Sequence, residues 1–245
     1  MLTIIIPMAG HGSRFSVAGY KKPKPLIDVR GQPMIQRVIQ NLTPSRPHRF
    51  VFICQARHLA EYGLEQKLSL WAPGCAVVAT EGVTEGAACT VLLARDYIDA
   101  GPLMIANSDQ YLDIDIDIYL AAGDAASDGL IMTMTANDPK WSFVARDVSG
   151  WVSRVVEKEV ISDEATVGVY NFSRGEDFVR AAEEMIARDL RVNGEFYVAP
   201  AYNLMIEKGG RIGVFNVGLV GETMHGLGTP SDLDAFLALG EGVVK

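Results

Sequence analysis

Between Ala9 and Leu26 the chain sets Gly10 and Gly12 and the separated cations Arg14 and Lys24 in a run suited to phosphate. It reads Ala9-Gly10-His11-Gly12-Ser13-Arg14-Phe15, then Lys22-Pro23-Lys24-Pro25-Leu26. Glycines at a strand end let backbone N–H groups approach phosphate oxygens with no side chain in the way. Arg14 and Lys24 would neutralise the charge that amides cannot. The run is not a dinucleotide fingerprint, because its GxG lacks a third glycine and no helix is expected promptly after it. It is not a Walker A loop either, since GxxxxGK[ST] is absent. Bare GxGxR spacing also fits a strand-end turn with no ligand, and the Pro-Lys-Pro nearby is what strengthens it. A second polar run, Asn107-Ser108-Asp109-Gln110, closes an apolar stretch, and Asp113-Ile114-Asp115-Ile116-Asp117 follows at once.

These residues need a scaffold, and the hydrophobic pattern supplies one. Leu2–Met8, Arg49–Cys54, Cys75–Thr80 and Pro102–Asn107 read as buried strands. Pro33–Leu42, His58–Leu70 and Gly86–Ile98 read as the helices between them, with Pro33 suited to a first turn. Such alternation predicts an α/β fold with a parallel sheet covered on both faces and ligands at the carboxyl ends of its strands. Beyond it the chain is mixed. Leu130–Thr135, Phe143–Arg146, Trp151–Val156, Thr166–Asn171 and Arg211–Val217 read as strands. Glu176–Asp189, Tyr197–Lys208 and Ser231–Leu239 read as helices, the last capped by Ser231 or Thr229. No linker, low-complexity segment or hexapeptide-type repeat interrupts this, so residues 1–245 are expected to form a single domain.

Composition excludes other classes. The chain holds 30 acidic and 22 basic residues, a net charge of −8, with 49% apolar residues. An acidic whole argues against a general nucleic-acid or anionic-membrane binder. Yet residues 1–40 carry six basic residues (Arg14, Lys21, Lys22, Lys24, Arg30, Arg37) against one acid, Asp28. That asymmetry fits a compact anionic ligand, although Lys21 and Lys22 also fit a solvated loop. No apolar run approaches the roughly 18 residues of a spanning helix. MLTIIIPMAG has no charge ahead of its apolar run, so it reads as a strand and not a signal peptide. Cys54, Cys75 and Cys89 are odd in number and lie among apolar neighbours, as reduced cysteines of a cytoplasmic protein would.

The phosphate-loop residues resemble a known family, the sugar-phosphate nucleotidyltransferases or NDP-sugar pyrophosphorylases. Its signature of a first strand, GxG[TS]R and PKP[LM] stands here as Gly10-x-Gly12-Ser13-Arg14 and Pro23-Lys24-Pro25-Leu26. The short single-domain members linked to capsule and surface-polysaccharide synthesis are nearest in overall character. The resemblance implies a Rossmann-like three-layer α/β/α sandwich with a mostly parallel sheet, the nucleotide-diphospho-sugar transferase fold. It implies that Ala9, Gly10, Gly12, Ser13 and Arg14 cradle a nucleoside triphosphate and that Lys24 contacts the reacting phosphate. Glu81 through Ala88 is similar to the base-recognition loop, with Glu81 reading a base edge, Gly86 packed on the ring and Asn107 nearby. A carboxylate only accepts hydrogen bonds, so Glu81 would suit a base N–H, and several bases offer one. Glu85 in the same loop also reads as the acid near a helix start.

Asp109 matches the family's magnesium carboxylate, and a hard cation bridging phosphates needs such an oxygen. Val156-Glu157-Lys158 is similar to the [VI]xEKP element, with Glu159 in place of its proline. Glu157 would hold sugar hydroxyls and Lys158 the acceptor phosphate, with Gly168, Trp141 and Ser142 lining that pocket. One departure stands out. Family members add a second metal carboxylate from a WxDxGTP-like element, whereas this chain reads Met224-His225-Gly226-Leu227-Gly228-Thr229-Pro230. Gly226 falls where the aspartate would stand, which leaves Glu222, His225 or water as substitutes, imidazole being a poor magnesium ligand.

The reaction implied is attack by a sugar 1-phosphate oxygen on the α-phosphorus of a nucleoside triphosphate, with Mg2+ as cofactor and pyrophosphate released. Two alternatives are kept. One is a nucleotide-sugar-dependent glycosyltransferase using Asp113 and Asp115 as an Asp-x-Asp metal motif, which leaves the glycine and Pro-Lys-Pro runs unexplained. The other is a non-catalytic nucleotide-sensing module that lost a metal ligand. Base, sugar and any homo-oligomer stay open.

Overall fold

A computed structural model describes residues 1–123 and 127–239. The end of the expected single domain, residues 240–245, lies outside the described residues. The elements run β1 (Leu2–Pro7), α1 (Ser13–Val17), β2 (Asp28–Val29), β3 (Gln32–Pro33), α2 (Met34–Leu42), β4 (His48–Gln55), α3 (Ala56–Tyr62), α4 (Leu64–Trp71) and β5 (Ala76–Thr80). They continue with α5 (Ala87–Leu92), β6 (Leu103–Ala106), β7 (Gln110–Leu112), α6 (Ile116–Ala121), β8 (Gly129–Thr135), β9 (Ser142–Arg146) and β10 (Val152–Glu157). The last are β11 (Glu164–Phe172), α7 (Gly175–Ala187), α8 (Ala201–Glu207), β12 (Ile212–Leu219), β13 (Met224–Gly226) and α9 (Pro230–Ala238).

The strands β5, β4, β1 and β6 lie side by side and parallel, with Leu2 opposite His48 and Thr3 opposite Leu103. Antiparallel β11 joins the far side of β6 and carries β9, β10 and β8, and β12 lies parallel to β8. Alternation along β1 explains the layers. Leu2, Ile4 and Ile6 pack on one face with Ile35, Val38 and Ile39 of α2 and Leu64 and Leu68 of α4. Ile5 packs on the other with Val91 of α5, Phe178 and Met185 of α7 and Tyr202 of α8. Helices therefore cover both faces of a Rossmann-like α/β/α sandwich, because each buried strand needs an apolar layer on either side.

A third, smaller cluster joins α1 and the 27–34 segment to β7 and α9. Phe15 of α1, Ile27, Val29, Met34, Tyr111 of β7, Leu227, and Leu233 and Phe236 of α9 bury one another. Antiparallel pairing of β13 with β7 sets Gly226 opposite Gln110 and brings the Gly-Thr-Pro segment to the end of β6.

Several elements differ from the sequence pattern. A short helix does follow the glycine run, because Gly12 takes the left-handed conformation (φ 61°) that opens α1 at Ser13. The helix expected over His58–Leu70 is two, broken where Gly63 is left-handed (φ 57°). The expected Gly86–Ile98 helix stops at Leu92, with a separate 3-10 turn at Arg95–Tyr97. Only Ala201–Glu207 of the expected Tyr197–Lys208 helix is helical, since Pro200 disfavours helix in the residue before it. Thr229, not Ser231, caps α9, its Oγ1 accepting from Asp232 N at 3.1 Å. Asp115 caps α6 by accepting from Asp117 N, and Asp117 Oδ2 accepts from Ser45 N at 2.9 Å. The Asp113–Asp117 alternation is thus a helix start.

Candidate active site

Parallel pairing puts the carboxyl ends of β1, β4, β5 and β6 along one rim, and the polar runs lie there. The glycine run leaves β1 at this rim. Gln55, buried at the end of β4, pins it: its Nε2 donates to the carbonyls of Ala9 (2.7 Å) and Gly10 (3.1 Å). On α1, Phe15 is anchored in the third cluster while Ser13 and Arg14 remain exposed. Any Cβ at Gly12 would lie 3.2 Å from Cβ of Lys24, so the lysine stem rests directly against this run.

The loop after β5 forms the opposing wall of a cleft of about 300 Å³ lined by Ala9, Gly10, His11, Val83, Thr84, Gly86 and Glu195. Thr84 Oγ1 donates to Gly86 O (2.8 Å) and meets Thr90 Oγ1 at 2.6 Å. Gly86 has φ 136°, and a Cβ there would lie 2.4–2.8 Å from backbone atoms of Phe196. On the side a Cβ would take, its close neighbour is therefore the Phe196 backbone, and Gly86 also lines the cleft. Glu81 stands exposed at the start of the loop, apart from the residues that line the cleft.

At the end of β6, Lys24 Nζ is ion-paired with Oδ2 of Asp109, each side chain about a quarter exposed (22% and 24%). The sequence had placed Lys24 on a phosphate and Asp109 on a metal, and the fold sets the two together. Gly228 packs against them, since a Cβ there would lie 2.6 Å from Asp109 Oδ2 and 3.8 Å from Lys24 Nζ. Asp109 is a hard oxygen donor open to solvent beside the phosphate run, which suits Mg2+ held through one or two carboxylates plus substrate phosphates. Among the described residues no three His, Cys, Asp or Glu side chains gather as a metal cage. His225 is buried with its ring 6.4 Å from Tyr111 and 5.4 Å from Phe236, and burial lowers its pKa. Glu222 is exposed in the turn before β13. The carboxylate facing Gly226 is Asp232, whose Oδ2 lies 3.7 Å from where a Cβ at 226 would stand.

The residues expected on the acceptor side lie on or beside β9, β10 and β11. Ser142 and Glu157 are register partners, and Ser142 Oγ donates to Glu157 Oε2. Burial pushes the Glu157 carboxyl pKa up, against the Ser142 hydrogen bond and the Lys158 charge. Lys158 N donates to Trp141 O (3.0 Å), and its Nζ donates to Tyr197 Oη (2.6 Å), the contact that most raises its pKa. Lys158 holds φ 58°, strain of a kind stored at functional sites. Trp141 is half-buried against the core, its ring 4.8 Å beneath Lys140 Nζ. Gly168 (φ 84°) accepts at O from Asn107 N (2.9 Å), and a Cβ there would overlap the Asn107 side chain at 2.1 Å. Asn107, expected beside the nucleotide, thus contacts Gly168, expected beside the sugar.

Sequence reasoning missed Gln55, Glu195, Tyr197 and Asp232. A polar residue closing an apolar strand was a usable signal for Gln55. Glu195 and Tyr197 had none, because they arrive on a loop clamped elsewhere: Phe196 N donates to Glu85 O (2.8 Å), and Arg191 pairs with Glu85 at 2.5 Å.

A family model described as nucleotidyl transferase matches residues 3–192. The bifunctional protein GlmU of Burkholderia multivorans is 29% identical over 219 residues, 85% of this chain and 45% of that protein. The chain thus spans less than half the length of the curated relatives it matches. A nucleoside-diphosphate-sugar pyrophosphorylase from Vibrio cholerae RC9 superposes with TM-score 0.82 at 28% identity, over 96% of this chain and 100% of that one. A UDP-glucose pyrophosphorylase complexed with UDP-glucose superposes at 0.78 with 16% identity, over 97% and 98%, and shows the shared fold.

Proposed function

We propose that this chain, which belongs to the nucleotidyl transferase family, condenses a nucleoside triphosphate with a sugar 1-phosphate to give an NDP-sugar and pyrophosphate. One observation carries the reading. Lys24 spans from the glycine run to Asp109, and Glu157, Ser142, Lys158 and Gly168, taken here as the acceptor site, lie on or beside the neighbouring strands β9 to β11.

In this reading the cleft between Gly10 and Gly86 takes the nucleoside, and Gly10, Gly12, Ser13 and Arg14 take the phosphates. Glu157 accepts hydrogen bonds from acceptor hydroxyls, and Lys158 leaves Tyr197 to hold the acceptor phosphate. An oxygen of that phosphate bonds to the α-phosphorus as the bond to the pyrophosphate oxygen breaks, so pyrophosphate leaves with the electron pair. No general base is required, because the acceptor phosphate is already an anion. The chain's task is in-line positioning and neutralisation by Arg14, Lys24 and Lys158. Asp109 would hold Mg2+, which when bound supplies charge stabilisation on the phosphates. With Asp115 committed to the start of α6, the glycosyltransferase reading loses one carboxylate of its Asp113 and Asp115 pair.

The test is a pyrophosphate-release panel crossing the common nucleoside triphosphates with several sugar 1-phosphates. At least one pair should turn over. Silence throughout, with a triphosphate still raising the melting temperature, would replace this reading with the nucleotide-sensing module.

A further inference from the structure

Lys24 touches both parts of the phosphate end. Its stem is fixed by Pro23 and Pro25 on a 3-10 turn in which Leu26 N donates to Pro23 O (2.8 Å) and Ile27 N to Lys24 O (3.2 Å). Cβ stands against Gly12, 3.2 Å from where a side chain there would begin. Only the remaining methylenes and the amine can move. The amine sits on Oδ2 of Asp109, and the backbone at Gly228 closes over the same oxygen with no side chain between.

That carboxylate is where a hard cation would bind, and a protonated amine and a divalent cation on one carboxylate repel each other. The glycine run offers the amine a second anionic partner as soon as a triphosphate lies in it, because the lysine stem already adjoins Gly12. Resting on the reading that Asp109 is the metal ligand, we propose that Lys24 and the divalent cation are alternative partners of Asp109. A triphosphate in the glycine run draws the amine away and opens the carboxylate. Metal and triphosphate then bind with positive coupling, each strengthening the other by the same factor. The metal alone binds weakly, since it must displace a resident cation. Lys24 therefore sets the order in which the site is filled, besides carrying charge to the phosphate.

The experiment needs no substrate. Binding of Mn2+ alone to the full chain is followed by the electron paramagnetic resonance signal of the free ion, and melting temperature is measured with and without Mn2+. Lys24→Met keeps the stem and removes the charge, while Lys24→Arg keeps the charge. Lys24→Met should bind Mn2+ about tenfold more tightly than the unaltered chain, given the usual size of coupling between contacting residues. Mn2+ should raise its melting temperature and leave that of the unaltered chain nearly still. Lys24→Arg should behave as the unaltered chain, and adding Asp109→Asn to Lys24→Met should erase the gain. If Lys24→Met does not fold, Lys24→Gln carries the same expectation.

Equal Mn2+ affinity in the charge-removed and unaltered chains overturns the proposal. So does tight Mn2+ binding by the unaltered chain alone. Retention of the gain after Asp109→Asn would show that the ion binds elsewhere, and the assignment of Asp109 would fall with it. A silent pyrophosphate panel would overturn the transferase reading separately, because the Mn2+ measurement does not depend on turnover.

Discussion

Replacing Gly86 by alanine separates a glycine required by packing from one required by a ligand. Gly86 has φ 136° and ψ 172°. Residues other than glycine pay about 1–3 kcal/mol in that region. An alanine methyl would also lie 2.4 Å from Phe196 O, 2.5 Å from its N and 2.8 Å from its carbonyl carbon. Backbone cannot rotate aside as a side-chain tip can, so the 192–196 turn must shift. Two hydrogen bonds then go, Phe196 N to Glu85 O (2.8 Å) and Ala88 N to Phe196 O (3.0 Å). At about 1 kcal/mol each, added to the backbone strain, Gly86→Ala should lose about 4 kcal/mol. That is a large share of the roughly 5–15 kcal/mol that stabilises a typical domain. Gly10→Ala is the control. No atom lies within 4 Å of its Cβ position, and its φ is not positive, so the cost should stay within about 0.5 kcal/mol. Its methyl would instead stand between the backbone and an incoming phosphate, so turnover should fall while stability holds. Urea denaturation at pH 7 and the pyrophosphate assay read the two effects. Gly86→Ala within about 1 kcal/mol of the unaltered chain would refute the packing argument.

Burial raises the Glu157 pKa, so the folded chain holds this proton more tightly than the unfolded one, and ionising it costs stability. That cost sets in as pH rises from the ordinary carboxylate range through the raised value. Glu157→Gln should therefore be at least as stable as the unaltered chain at pH 7, with any advantage fading toward pH 4, while the acceptor KM rises; urea melts across pH 4–8 and acceptor titrations test both. Lys158→Asn suits φ 58° and should keep stability within about 0.5 kcal/mol while lowering turnover, read by melting and pyrophosphate release. Thr229→Ala removes the α9 cap and should cost about 1 kcal/mol in chemical denaturation. The buried Cys54 thiol is pushed up to about 12, so a thiol reagent at pH 8 should leave it unmodified in the native chain and reach it in urea.

Much of the fold was legible because its signals are local. The apolar runs of β1, β4 and β6 and the stripe of α2 can be read from neighbouring residues alone. Errors fell where a single backbone angle decided the outcome. Gly12 starts α1 and Gly63 splits α3 from α4 because both are left-handed, and neither conformation shows in the hydrophobic period. Asp113–Asp117 fitted an exposed strand or helix entry as well as a metal motif, because alternation alone does not distinguish them, and the fold makes it a helix start.

The amino-acid sequence by itself determined the chemistry available at the rim: glycines able to admit an anion, the cations Arg14 and Lys24, Asp109 at a strand end, and the Glu157-Lys158 pair. Tertiary structure decided which of these meet. Lys24 and Asp109, 85 residues apart, are paired because β6 lies beside β1 and the third cluster folds the Pro-Lys-Pro turn against the β7–β13 pair. Asp232 faces Gly226 because Thr229 starts α9 there, and Glu195 enters the cleft because Phe196 is clamped to the 85–88 segment. The physical reason is range. Side-chain chemistry and backbone period act within a few residues, whereas contacts between distant residues are set by strand order and by the apolar surfaces that must be buried together.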